Sequence, residues 1–94
     1  MEKLYRTIDV WRRRAGVAIR YRCFEVLASG AFCVQSVDSY RISSTVEQVR
    51  FLERQFIELL IEQAPDERSA TFSTIEEAIA DHDREFGIAG TDAT

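Results

Sequence analysis

The stretch STVEQVRFLERQFIELLIEQA, Ser44 to Ala64, decides how the chain is read. Ser44 is a natural N-cap and Glu47 stands three residues on, a pair that can satisfy orphan N–H groups of a first helical turn. Val46, Val49, Leu52, Phe56, Leu59 and Leu60 recur with i, i+3, i+4, i+7 spacing, and Phe51, Ile57 and Ile61 lie slightly rotated from them. Glu47, Arg50, Glu53, Arg54, Glu58 and Glu62 fall mostly outside that stripe. Pro65 disfavours α geometry at Ala64 and ends the pattern. The stretch therefore predicts one long amphipathic helix. Burying each large side chain is worth roughly 1.5–3 kcal/mol, so this helix is expected to contribute most to the core. Charge every few residues excludes a membrane span here.

Upstream of the helix the period changes from 3.6 to 2. Leu4 to Arg12 alternates, with Leu4, Arg6, Ile8 and Val10 on one side and Tyr5, Thr7, Asp9 and Trp11 on the other. Arg13 to Gly16 reads as a turn. Val17 to Ala28 follows as a second strand, with Val17, Ile19, Tyr21, Cys23 and Leu27 opposed to Ala18, Arg20, Arg22, Phe24 and Val26. Ser29-Gly30 is a hairpin signal, and Ala31 to Tyr40 is a third strand, with Cys33, Gln35 and Val37 on the second side. These turns set Val10 opposite Ile19, Asp9 opposite Arg20 and Leu27 opposite Phe32, which makes the apolar sides of all three strands coincide. Glu25 breaks the pattern, so a bulge near Cys23–Glu25, or a place at the sheet's end, is expected.

Downstream, Asp66 to Phe72 is mostly polar and reads as a loop. Ser73 or Thr74 caps a second helix with the stripe Ile75, Ala78, Ile79, His82 and Phe86, and Gly87 stops it. The order β-β-β-α-α predicts an α+β domain over residues 1–87, a three-stranded antiparallel meander with both helices on one face, followed by a frayed tail over 88–94.

Ninety-four residues suffice for one core. The net charge of −4 is unevenly spread. Residues 1–50 hold nine Lys/Arg against five Asp/Glu, and residues 51–94 hold three against eleven. The charged start lacks the apolar run of a secretory leader, and two cysteines without metal-ligand spacing fit a reducing compartment, so a cytoplasmic protein is expected.

Two helices on one face leave the sheet's other face in need of an explanation. Tyr5, Trp11, Phe24, Val26 and Val37 make it apolar, interleaved with Arg20 and Arg22. Either the second helix or the tail wraps over it, or it binds something. Its apolar members fit a homodimer or protein partner. Its aromatics and Arg20 and Arg22, with Arg13 and Arg14 at the hairpin tip, would equally suit single-stranded nucleic acid, although the net charge opposes that. The element order and the lack of an aromatic-glycine signature separate the chain from RNA-recognition modules. The acidic second half would also fit an inhibitor that imitates nucleic acid for a nucleic-acid enzyme, but Glu is favoured in helix first turns anyway.

No catalytic constellation is visible. His82, the sole histidine, lies on a helix's apolar stripe, where a half-buried core role is commoner than a general base. Asp81, His82 and Asp83 point three ways on a helix and make no metal set, and Cys23 has no base beside it. The expectation is a small intracellular protein-interaction protein, homodimeric, without catalytic residues, metal or cofactor.

Overall fold

A computed structural model describes residues 2–87 of the chain. Three antiparallel strands, β1 (Tyr5–Arg14), β2 (Val17–Val26) and β3 (Ala31–Tyr40), form one sheet in the order β1-β2-β3. Three helices follow: α1 (Val46–Glu62), the single-turn α2 (Pro65–Arg68) and α3 (Ile75–Phe86). The α+β class and the meander are as the sequence implies. The tail expected over 88–94 lies outside the described residues.

Both hairpins are tighter or looser than expected, and each change moves the register by two residues. Ala15 and Gly16 take positive φ (49° and 80°) and form a two-residue turn. Val10 therefore pairs with Tyr21, and Asp9 with Arg22. The second hairpin closes over residues 27–30, with the Gly30 N–H donating to the Val26 carbonyl at 2.8 Å, so Val26 faces Ala31. A shift of two preserves the faces, which is why the alternation still reads correctly. A bulge does change them. Val34 pairs with Cys23 but Ser36 pairs with Arg22, leaving Gln35 as the extra residue. Beyond it Val37 lies opposite Tyr21 and Asp38 opposite Arg20. Val37 thus leaves the face predicted for it, and Asp38 takes its place. Glu25 stays on the first face near the sheet's end, where Arg6 pairs with it at 3.4 Å.

The helices do not share a face, and this corrects the predicted layering. α3 covers the side of Val17, Ile19, Tyr21, Cys23 and Val34, where Ala78 is 2 % exposed and Ile75, Ile79 and Phe72 pack round it. α1 runs along the opposite side. Its Phe56 ring stacks on Phe24 at 5.5 Å with an interplanar angle of 10°, and the Gln35 amide donates to the Phe56 carbonyl at 3.2 Å. No residue of α1 is buried, so the longest helix adds little to the core. The reason lies in its own pattern. Nine apolar residues spread over more than half the helix circumference, so turning Leu52, Phe56 and Leu59 inward leaves Val46, Phe51, Ile57 and Ile61 outward.

The caps are local and well formed. Thr45 rather than Ser44 caps α1, with Gln48 donating its backbone N–H to Thr45 and accepting in return. Ser44 instead closes the preceding turn, accepting from the Arg41 N–H at 2.9 Å. Pro65 both stops α1 and begins α2 at its first position, inside the expected loop. Thr74 caps α3 and Gly87 ends it at φ 77°. Between α2 and α3, Phe72 exchanges two 2.8 Å backbone hydrogen bonds with Phe32 on the outer edge of β3.

Candidate functional site

The residues predicted to form one open surface are divided by the fold. Phe24 and Val26 are 1 % and 2 % exposed, under α1 and at the end of β2. Val37 is half-buried beside the α3 core. Tyr5 is half-buried, its hydroxyl donating to Asp66 at 2.8 Å and its ring edge-on to Phe24 at 6.1 Å. Trp11 alone of the five is largely open, at 55 %. It lies beside Tyr40 at 5.8 Å, with the Arg20 guanidinium over its ring at 5.4 Å.

The arginines divide in the same way. Arg13 and Arg14 are exposed at the end of β1. Arg20 and Arg22 are held by carboxylates. Arg20 donates to Asp9 at 2.8 Å and to Glu53 of α1 at 2.9 Å. Arg22, 2 % exposed, donates through Nε to Asp38, and through Nη2 to Glu53 at 2.8 Å and to the Tyr40 hydroxyl at 3.3 Å. Its guanidinium also lies over the Phe56 ring at 4.8 Å. Burial opposes the charge on Arg22, but the bonds to Asp38, Glu53 and Tyr40 outweigh it and raise its pKa. The hydrogen bond from Arg22, with that from Arg20, holds the Glu53 carboxyl below its ordinary range. A buried cation with this many acceptors is a structural tie between helix and sheet, its Nε and Nη2 donors already engaged.

The residues that sequence reasoning missed are these acceptors. Asp38 was hidden by the bulge, since alternation puts it on the other face. Glu53 looked like one more wet-side charge. Asp66 ties α2 to the chain start through Lys3 and Tyr5, both at 2.8 Å. Asp83 ties α3 to the sheet through Arg12 at 3.1 Å and the Tyr21 hydroxyl at 2.7 Å. The uneven charge of the two halves was the available signal. A basic strand half facing an acidic helical half resolves into ion pairs across the layers.

The titratable candidates sit in apolar company. Burial, with Asp83 as acceptor, raises the Tyr21 hydroxyl to about 12. Burial raises the Cys23 thiol to about 12 and the Cys33 thiol to about 11, so neither is a ready nucleophile. The two point to opposite faces, since they belong to opposite alternation sets of paired strands. His82 is half-buried, edge-on to Tyr21 at 6.5 Å and 4.7 Å from the Phe86 ring. Burial lowers its pKa despite Asp83 and Asp81, and its Nδ1 is buried without a hydrogen-bond partner among the described residues. Among the described residues no three His, Cys, Asp or Glu side chains gather as a metal site.

Most of the exposed large apolar residues among the described residues lie on α1. Phe51 is 64 % exposed and Ile61 78 %, with Val46 and Ile57 also more than half exposed. A shallow groove of ≈ 550 Å³ opens beside its first half, between Tyr40, Arg41, Glu47, Phe51 and Leu52. Single exposed apolar residues are ordinary, but this many along one helix are not. No helix among the described residues is long and apolar enough to cross a membrane. Comparison with known proteins finds no match, whether with family models, curated proteins or solved structures.

Proposed function

We propose that this chain is a small non-catalytic protein that acts by binding protein, its own copy included, through the outer side of α1. One observation carries the proposal. A helix of 17 residues buries none of them, yet exposes Val46, Phe51, Ile57 and Ile61. Helices in folded proteins gain most of their stability from packing an apolar face, and this one packs only part of its own. The surface differs from the Trp11/Phe24 face suggested by strand alternation, because Phe24 and Val26 are already covered. The nucleic-acid alternative loses support at Arg20 and Arg22, which are held by carboxylates of the same chain, and keeps only Arg13 and Arg14.

Light scattering after size exclusion, from low to high micromolar concentration, tests the proposal. The unaltered chain is expected to self-associate, and Phe51→Asp to be monomeric with unchanged circular dichroism. A chain that stays monomeric throughout would overturn it. Phe24→Asp is expected to behave differently: it places an unpaired charge beneath α1 and loosens the fold itself.

A further inference from the structure

Six outer positions of α1 are disposed symmetrically about Phe56, apart from the sign of their charges. Counting outward from Phe56, Arg54 has Glu58 as its counterpart, Arg50 has Glu62, and Phe51 has Ile61. Phe56 itself turns to the sheet, onto Phe24. At about 100° per residue the six named positions fall on the half of the helix facing away, and all six are exposed.

We infer that this side pairs with the same side of a second copy, helices antiparallel, with the two-fold axis level with Phe56. This rests on the reading of α1 as the protein-binding surface and adds its partner and geometry. In that arrangement Arg54 faces the partner's Glu58 and Arg50 faces the partner's Glu62, each pair occurring twice by symmetry. Phe51 meets the partner's Ile61. Arg54 already bonds Glu58 within one helix at 3.1 Å, so four side chains close into a ring across the axis.

The charges favour this arrangement over its neighbours. Moving the axis two residues toward the N-terminus sets Arg54 on Arg54 and keeps only Arg50 on Glu58; moving it two toward the C-terminus sets Glu58 on Glu58 and keeps only Arg54 on Glu62. A parallel pairing in register sets every charge on its like. Like charges in contact oppose association, so the Phe56-centred antiparallel pairing has the best charge match of these. One helix face offers less area than the roughly 800 Å² per partner of a standard interface. The dimer is therefore weak, and its exposed ion pairs make it salt-sensitive.

Sedimentation equilibrium on intact chains tests the pairing. The unaltered chain is expected to dimerise, with a dissociation constant about tenfold higher at 0.5 M salt than at 0.05 M. An acidic chain (Arg50→Glu with Arg54→Glu) and a basic chain (Glu58→Arg with Glu62→Arg) are each expected to be monomeric, and to form a one-to-one complex when mixed. Direction is read by cysteine trapping, since the native Cys23 and Cys33 are buried. A mixture of Phe51→Cys and Ile61→Cys chains is expected to give the mixed disulfide ahead of either symmetric one. A dimer that survives in the acidic chain, or a preferred Phe51→Cys symmetric disulfide, would overturn the antiparallel pairing while leaving binding through α1 in place. A monomeric unaltered chain would overturn both.

Discussion

The two faces of this sheet are held by different physics. On one, α3 meets Ile19, Tyr21 and Cys23 in an apolar layer closed by Ala78. On the other, α1 is moored by Glu53 to Arg20 and Arg22, with a single aromatic stack beside them. The shorter helix lies over most of the core and the longer one lies on ion pairs. Helix length is therefore a poor guide to where stability resides. An apolar layer is non-directional and strengthens with area. An ion-pair network, buried at Arg22 and Asp38 and half-exposed at Glu53, fixes one geometry, but its buried part is costly to assemble and costly to break.

That contrast can be broken from either side. Ile19→Ala removes a fully buried side chain from the α3 layer and is expected to cost about 3–4 kcal/mol, measured by urea unfolding. This is a large share of the about 5–15 kcal/mol usual for a domain. Asp38→Ala should cost about 3 kcal/mol, near the low end for a broken buried pair because Glu53 still serves Arg22. Replacing Arg22 by Met and Asp38 by Leu together should recover most of that loss. Phe56→Ala, on a half-exposed ring, is expected to cost about 1–2 kcal/mol, and amide exchange should rise in α1 well before α3. Equal costs for Ile19→Ala and Phe56→Ala would abolish the distinction between the faces.

The smallest effect separates the faces by acid. The His82 pKa is lowered in the fold, so its contribution is complete above the ordinary histidine value and is lost as pH falls. The Glu53 pKa is lowered too, so its contribution is complete above the ordinary carboxylate value and is lost below it. Protection of α3 amides should therefore begin to weaken below about pH 6.5, and protection of α1 amides only below about pH 4.5. Hydrogen exchange followed across that range reads both, and simultaneous loosening of the two helices would contradict the separation.

Much of the fold was legible because it is written locally. Alternation located all three strands, Gly16 and Gly30 marked the turns, and Thr74 and Gly87 bounded α3. Register errors of two residues did no harm, since side chains repeat every two. Two features were not legible, for definite reasons. One extra residue at Gln35 exchanges Val37 and Asp38 between faces; the break at Glu25 points to a bulge in this part of the sheet, but alternation does not tell that the extra residue is on β3. The side taken by α1 depends on Glu53 answering two arginines about thirty residues away, which periodicity cannot register. The proposed surface changed accordingly. Phe24, expected on an open face, lies under Phe56 of the same chain.

The Phe32–Phe72 exchange has a bearing on how the molecule avoids uncontrolled growth. It closes part of the outer margin of β3 with a piece of the same chain. The other margin, β1, ends in the exposed Arg13 and Arg14, charges that disfavour a second strand laid along that end. With both borders partly guarded, open-ended stacking into fibres is discouraged, and contact between copies is steered to a surface that can be saturated.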